Sequence, residues 1–259
     1  MVDWRFSLAG LIVGLLVGIS GVGGSSILAP ILILFLGVKP IVAVGTDLLY
    51  SVPTKLLAAY MHWRARNVDG RIVLALVSGG LPGVALGLFL LAYVRAHMSF
   101  ADFNLAAKHW IGIAILLASA GALAAQFFAH RNAPTETTPE LGRTGFARLA
   151  AVGFVVGWIV SLTSVGSGSV TLPLLMFALP RALLRRLIGS EIAYAACIIP
   201  VAALGHSAAG DVDWRASASL LVGSLPGVYV GSKLCAYIDE GWLRPVIVGV
   251  LAFAGSRLI

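Results

Sequence analysis

The chain has 259 residues, of which 59% are hydrophobic and 11% charged, and its formal net charge is +7. Soluble domains have about 45–50% apolar and about 25% charged residues, and the mean hydropathy here is +0.97. Apolar segments of about 20 residues recur along the sequence, as membrane-spanning helices require. The composition therefore excludes a soluble globular protein and predicts an all-α polytopic membrane protein. Its positive excess is typical of cytoplasmic loops and does not indicate nucleic-acid binding.

Two short apolar runs open the chain, at 6–19 and 26–36, and a glycine- and serine-rich turn separates them. At 1.5 Å per residue each run rises about 17–21 Å, too short for a hydrocarbon core of about 30 Å but enough to reach its middle. We therefore predict a re-entrant helical hairpin whose tip lies near the midplane. Full spans are predicted to follow at 44–62, 71–93 and 106–128.

A polar segment at 130–145 interrupts the apolar sequence, and it contains Pro134 and Pro139. Such composition is typical of a flexible connector. We interpret it as a cytoplasmic linker between a first transmembrane repeat, 1–129, and a second, 146–259. The second repeat contains a predicted broken hairpin at 146–179 and predicted spans at 187–205, 216–237 and 243–258.

The two transmembrane regions repeat each other in sequence. Residues 14–30, GLLVGISGVGGSSILAP, return as residues 157–173, GWIVSLTSVGSGSVTLP. With a slip of one residue, the triplet Gly-Thr-Asp47 is matched by Gly-Ser-Glu191. A duplicated apolar unit whose clearest match is a glycine-interrupted segment indicates the binding site of a secondary transporter.

The second copy is predicted to be inverted in the membrane, because one re-entrant hairpin plus three spans crosses the bilayer an odd number of times. Loop charge agrees with this interpretation. The loop at 64–71 has three arginines and one aspartate, whereas its counterpart at 206–215 has two aspartates and one arginine. Under the positive-inside rule, the first of these loops and the linker lie in the cytoplasm, and both termini lie outside.

These motifs resemble the TauE/SafE family of sulfite exporters over nearly the whole chain. The resemblance lies in the two turns, each followed by a proline, in the two acidic triplets, and in GDVDWR at 210–215 ahead of LPG at 225–227. It implies a proton-motive-force-dependent carrier of small sulfur-containing anions, such as sulfite and sulfonates, in a bacterial or archaeal inner membrane. We expect no cofactor and no metal ion.

The two turns also predict an anion site on physical grounds. A helix that begins inside the membrane leaves backbone N–H groups without partners at a partly positive end, so an anion can bind there. Glycines permit unusual φ values and close approach of the backbone, and serine hydroxyls can donate to sulfite or sulfonate oxygens. The predicted substrate-binding residues are Gly23, Gly24, Ser25, Ser26, Ser164, Gly166, Ser167, Gly168, Ser169 and Lys55.

Ionisable residues in the predicted spans are the candidates for proton coupling. Asp47 and Glu191 occupy matching positions, where a buried carboxyl can take up and release a co-transported proton. Alternatively, as acids in the first turn of a helix, they complement the helix dipole near water. His62 and His206 also match, and they either respond to pH near neutrality or mark the membrane boundary.

Two of these assignments have structural alternatives. Lys55 is either the countercharge of the anion or a partner in an ion pair, and its counterpart Ile199 is apolar. The glycines of both turns alternatively form packing surfaces between helices, as the G-x-x-x-G spacing of Gly10, Gly14 and Gly18 indicates for those three.

The sequence therefore predicts a secondary transporter, an exporter working by alternating access around a midplane site, with the anion, protons and the lipid bilayer as its partners. A passive anion channel is the first alternative, because broken hairpins suit either. An intramembrane enzyme is less favoured, since the acids and histidines recur symmetrically and do not form one constellation. A scaffold gives no reason for polar hairpin tips.

Overall fold

The computed structural model describes residues 3–20, 25–129, 142–179, 182–235, 249 and 252–259. Within these ranges the regular structure is helical, which confirms the all-α prediction, and residues 252–258 are helical as well. The named helices are α1 (Trp4–Ser20), α2 (Ser25–Leu34), α3 (Pro40–Arg64), α4 (Gly70–His97), α5 (Phe100–Ala129), α6 (Arg143–Thr163), α7 (Thr171–Ala178), α8 (Leu184–Ala208) and α9 (Trp214–Cys235).

Five segments of the described helices are long and apolar enough to cross a membrane, in agreement with a polytopic membrane protein. They are Pro40–Arg64, Gly70–His97, Ala101–Gly121, Arg143–Thr163 and Leu184–Ala208. The predicted spans at 44–62, 71–93 and 187–205 lie within three of them. Most of the predicted linker and half of the predicted last span fall outside the described residues.

The second hairpin has a longer first arm than the sequence predicts. Helix α6 continues unbroken from Arg143 to Thr163, which is about 31 Å at 1.5 Å per residue. Hydropathy marks the apolar part of a helix and misses a polar first turn such as the one at Arg143. The returning arm, α7, is short and reaches only about 12 Å.

The first helix of each repeat packs against the fourth helix of the other repeat. Along α1 and α9, a Cβ atom on Gly10 would collide with the Leu220 carbonyl, and one on Gly14 with the Ser224 carbonyl. The residue numbers rise together, so the two helices run parallel. Close backbone approach of this kind is the packing role expected for Gly10 and Gly14.

Helices α4 and α6 form the matching interface. A Cβ on Gly153 would collide with the Leu76 carbonyl, and one on Gly157 with the Gly80 carbonyl. These four positions are the repeat counterparts of those at the interface of α1 and α9. The duplication seen in the sequence is therefore repeated contact by contact in the packing.

Helices α3 and α8, which are equivalent in the two repeats, pack against each other in opposite directions. A Cβ on Gly45, near the start of α3, would collide with the Asp211 carbonyl beyond the end of α8. In the same way, Gly189 near the start of α8 abuts Asn67 beyond the end of α3. This antiparallel pair carries many of the fully buried side chains and forms the centre of the molecule.

Reciprocal hydrogen bonds join the repeats next to these contacts. The amide of Asp69 donates to Ser190 Oγ at 2.9 Å, and the amide of Asp213 donates to Thr46 Oγ1 at 3.0 Å. Both aspartate side chains accept bonds from the first amides of the following helix, α4 or α9. Each is thus a helix N-cap that is also fixed to the opposite repeat.

Candidate functional site

Asp47 and Glu191 are buried within the protein. Asp47 has 0% exposure and Glu191 has 4%. Neither lies in the first turn of its helix, because α3 begins at Pro40 and α8 at Leu184, earlier than hydropathy predicts. Proline at the first helical position favours this early start of α3. The interpretation of the two acids as dipole-complementing residues near water is therefore wrong.

The Asp47 carboxylate binds the glycine- and serine-rich turn of the second repeat. It accepts a hydrogen bond from the Ser164 hydroxyl, and Ser51 Oγ lies 3.5 Å from its other oxygen. Ser164 follows the last residue of α6 and adopts a left-handed conformation, with φ of 62°. The acid of one repeat and the helix break of the other thus meet in a buried polar contact. In the sequence the two residues belong to separate motifs.

The turn that begins at Ser164 brings together the predicted binding residues of the second repeat. Gly166 and Gly168 have φ of 124° and 111°, values that side chains with a Cβ rarely adopt. Ser167 and Ser169 are buried, with 0% and 6% exposure. The glycines are therefore required by the backbone path, and the serines are held inside the protein.

The first amides of α7 are not open to a ligand in the way that the sequence predicts. The amides of Val170 and Thr171 donate to the Gly166 carbonyl, and that of Leu172 donates to the Gly168 carbonyl. The positive φ values of the two glycines direct these carbonyls at the helix start. Because these amides already have acceptors, an anion at this turn would depend mainly on the side-chain hydroxyls for hydrogen bonds.

The corresponding residues of the first repeat are only partly described. Gly23 and Gly24 lie outside the described residues. Ser25 and Ser26 begin helix α2, and their side chains lie outside the description. The prediction that these four residues bind the substrate stays a prediction.

Lys55 and Glu191 form a buried pair between α3 and α8. Lys55 Nζ lies 3.7 Å from Glu191 Oε1, and Lys55 has 8% exposure. Within the described part of the chain, Glu191 Oε1 and His62 Nδ1 are buried without a hydrogen-bond partner, and His62 is close enough to act on Glu191 electrostatically. The ion-pair role considered for Lys55 is therefore present, and its role as the countercharge of an anion stays a prediction.

His206 is fully buried and belongs to a different cluster from its counterpart His62. Its Nε2 lies 2.8 Å from the Ser161 carbonyl, which can only accept, so Nε2 carries the proton. Its Nδ1 then faces Asp211 Oδ2 at 4.0 Å. His206 has 0% exposure, so its side chain packs inside the protein near the end of α8.

Sequence reasoning missed the ion pair between Arg95 and Asp211. Arg95 Nη1 lies 2.8 and 3.0 Å from the two carboxylate oxygens and 3.0 Å from the Ala209 carbonyl. It therefore ties the end of α4 to the connection after α8. Burial raises the pKa of Asp211, and the charges of Arg95 and His206 oppose that rise. The available signal was an aspartate whose repeat counterpart, Asn67, is uncharged.

The polar groups thus lie in two clusters. The first lies along the antiparallel pair of α3 and α8 and contains Asp47, Ser164, Lys55 and Glu191. The second lies toward the end of α8 and contains Arg95, Asp211 and His206. Within the described ranges, no three His, Cys, Asp or Glu side chains gather as metal ligands.

Comparisons with known proteins agree with a polytopic membrane protein. A family model described as sulfite exporter TauE/SafE matches residues 6–258. In Bacillus subtilis (strain 168), the Probable membrane transporter protein YjnA is 33% identical over 252 residues, covering 97% of this chain and 98% of its own length.

Two further Bacillus subtilis (strain 168) proteins match at 27% identity. Probable membrane transporter protein YunE aligns over 96% of this chain and 94% of its own length, and Probable membrane transporter protein YdhB over 96% of each. No solved structure matches significantly. The family and these relatives are membrane transporters and not enzymes. This integral membrane protein therefore belongs to the TauE/SafE sulfite exporter family.

Proposed function

We propose that the protein exports small sulfur-containing anions, such as sulfite or sulfonates, by alternating access around a buried site between its two repeats. Membership of the sulfite exporter family supports the anion class. The observation that carries the site is the bond between Ser164 and Asp47. It joins a helix break of one repeat to a buried acid of the other. Buried acids are costly in a membrane protein, so their presence marks a candidate functional site.

The two repeats are inserted in opposite orientations. Two features of the packing support this arrangement. The equivalent helices α3 and α8 are antiparallel, and the first helix of each repeat packs against the fourth helix of the other, α1 against α9 and α6 against α4. Inverted repeats of this kind can exchange conformations, so that one set of contacts opens to each side in turn. Loop charge supports a cytoplasmic linker and external termini in a bacterial or archaeal inner membrane.

The substrate site includes the hydroxyls of Ser164, Ser167 and Ser169, the backbone of Gly166 and Gly168, and the ammonium of Lys55. Hydroxyl and ammonium groups are the donors that sulfonate or sulfite oxygens require. By the sequence repeat, Gly23, Gly24, Ser25 and Ser26 are the counterparts of this turn and belong to the same proposed site. The anion then lies between the two turns, near the crossing of α3 and α8.

Transport is linked to protons through Asp47 and Glu191. Both are buried carboxyls next to donors that the anion needs, and intramembrane acids of this kind commonly form proton relays. His62 and His206 extend this set, because His62 acts electrostatically on Glu191 and His206 Nδ1 lies 4.0 Å from Asp211 Oδ2.

A passive anion channel is the alternative that the same polar turns support. A channel requires no exchange between two conformations, whereas a carrier does, so the two differ in exchange kinetics. An enzyme or a scaffold has no comparable support.

The binding of anions to the purified protein tests this proposal. Sulfite, sulfate, thiosulfate, sulfoacetate, taurine and chloride are added in turn, and thermal unfolding is followed, because a ligand of the native state raises its stability. Stabilisation by a sulfur oxyanion but not by chloride is the expected result.

The matched variant is Ser164→Gly, which removes the hydroxyl and tolerates the left-handed backbone. We expect it to lose most of the stabilisation, while Ser256→Gly, at an exposed hydroxyl, keeps it. Equal stabilisation of the Ser164 variant and the wild type would contradict the placement of the site. The absence of stabilisation by every sulfur anion would contradict the anion class.

A further inference from the structure

The protein's own carboxylates occupy donors of the proposed anion site. Asp47 accepts from the Ser164 hydroxyl, and Glu191 is paired with the Lys55 ammonium. A sulfonate or sulfite oxygen would need these same two donors. The two acids therefore stand where a bound anion would stand, and Glu191 must give up the Lys55 ammonium for the anion to bind to it.

The Lys55–Glu191 pair is held loosely enough to exchange. Its separation of 3.7 Å is beyond hydrogen-bond distance, and within the described residues Glu191 Oε1 has no other donor. A buried acceptor without a donor is destabilising, because its desolvation is not offset by a hydrogen bond. A proton on this carboxyl would remove the unpaired charge and release the ammonium.

Charge in the cluster opposes the binding of an anion while both acids are ionised. Lys55 acts electrostatically on Asp47 as well as on its partner Glu191, so one ammonium offsets part of the charge of two acids. The other titratable groups around them are His62 on α3 near Glu191, and Tyr50 and Tyr194 on the helices of the acids themselves. An added anion would raise a negative excess in a low-dielectric interior, where like charges repel strongly.

We propose that the anion and a proton bind together: a proton taken up by Glu191 releases Lys55, and the anion replaces the Glu191 carboxylate on the ammonium. This inference rests on the proposed function and specifies its coupling. For a monovalent anion the charge of the cluster is then unchanged by binding. The proton and the anion move in the same direction, so the protein is a symporter and not an exchanger of anion against proton.

The linkage has a consequence for export. Anion that leaves the cell takes a proton with it, so the outward gradient of the anion supplies the driving force, and the pH gradient does not. A divalent anion that leaves with one proton still carries net negative charge, and an inside-negative membrane potential favours its exit.

The test is anion affinity as a function of pH. The probes are sulfate, thiosulfate and methanesulfonate. Their charge does not change between about pH 5.5 and 8.5, so any pH dependence in this range comes from the protein. Because proton and anion binding are reciprocally linked, we expect the wild-type affinity to fall about tenfold per pH unit over the alkaline part of this range. An affinity that does not depend on pH, or that rises with pH, overturns the inference.

Glu191→Gln is the matched variant, because the amide imitates the neutral acid. We expect it to bind the probe at every pH as tightly as the wild type does at low pH. Asp102→Asn, at an exposed acid bound to Ser99, is the control and keeps the wild-type pH dependence. A Glu191→Gln protein whose affinity still follows pH as the wild type does would overturn the role of Glu191.

A second measurement uses the wild type alone and does not depend on how the variant folds. In weakly buffered detergent solution, binding of methanesulfonate should take up about one proton per anion bound. No uptake, or release of protons, overturns the inference while leaving the anion site intact. If neither sulfite nor any of the probes binds at any pH, the proposed function fails together with this inference.

Discussion

Lys55 Nζ lies 3.7 Å from Glu191 Oε1, in a pair buried between two helices that the sequence repeat makes equivalent. The counterpart of Lys55 is Ile199, so this pair has no equivalent at the matching position of the other repeat.

Removal of Lys55 should destabilise the protein. Breaking a buried ion pair by removing one partner leaves an uncompensated charge and costs about 3–5 kcal/mol, so we expect Lys55→Met to lower the unfolding free energy by that amount at neutral pH. Unfolding in mixed micelles gives the measurement. The double variant Lys55→Met with Glu191→Gln should recover most of the loss in stability but not the binding of anions. A double variant as unstable as the single one would contradict the pairing.

Equivalent glycines at the interface of α4 with α6 and at the interface of α1 with α9 should be equally sensitive to substitution by alanine. A Cβ on Gly79 would collide with the Ala150 carbonyl, and one on its counterpart Gly223 with the Ser7 carbonyl. Overpacking costs about 1–3 kcal/mol, and we expect a similar loss of unfolding free energy for Gly79→Ala and Gly223→Ala. Gly70→Ala is the control, since nothing lies within 4 Å of its added Cβ. A large effect at one interface only would show that the interfaces are not energetically equivalent.

The helix N-caps should contribute equally in the two repeats. Asp69 accepts from the amides of Arg71 and Ile72, and Asp213 from those of Arg215 and Ala216. Loss of such a cap costs about 1 kcal/mol, so Asp69→Ala and Asp213→Ala should each lower the unfolding free energy by that amount. Asparagine at either position should keep most of the stability. If asparagine were as harmful as alanine, charge and not capping would be the cause.

Asp211 should make the stability depend on pH with a defined sign. Burial raises its pKa in the folded state, so the folded protein holds this proton to higher pH than the unfolded chain does. The stability contribution is therefore fully present below the ordinary carboxyl pKa of about 3.9 and is lost as pH rises through the raised value.

Comparison of the wild type with Asp211→Asn isolates this effect. The unfolding free energy of the wild type, relative to the variant, should fall as pH rises through that window. Arg95→Gln removes the opposing charge, so it should extend the fall to higher pH. A difference between wild type and variant that grows with pH would contradict the assignment.

Much of the fold follows from the sequence because hydropathy and repetition are local signals. The spans that became α3, α4 and α8, the break that precedes α7, and the acids at Asp47 and Glu191 all stand out from composition and spacing. The burial of the two acids within the protein does not stand out in this way. It depends on where each helix begins, and α3 and α8 begin at Pro40 and Leu184, before the predicted spans at 44–62 and 187–205.

The contacts between the repeats could not be predicted either. The bond between Ser164 and Asp47 and the pair of Arg95 with Asp211 join residues far apart in sequence, and no periodicity links them. The occupied amides at the start of α7 depend on the positive φ of Gly166 and Gly168. The sequence permits that conformation but does not require it.

Counterflow in proteoliposomes tests the central claim most directly. Vesicles that contain purified protein are loaded with unlabelled sulfite or with the sulfur anion that binds best, and uptake of a trace of the labelled anion is followed. A carrier with a buried site predicts transient accumulation of label above equilibrium, lost in Lys55→Met and kept in Asp102→Asn. Uptake that only reaches equilibrium would indicate a channel, and accumulation unchanged in Lys55→Met would contradict the site at the crossing of α3 and α8.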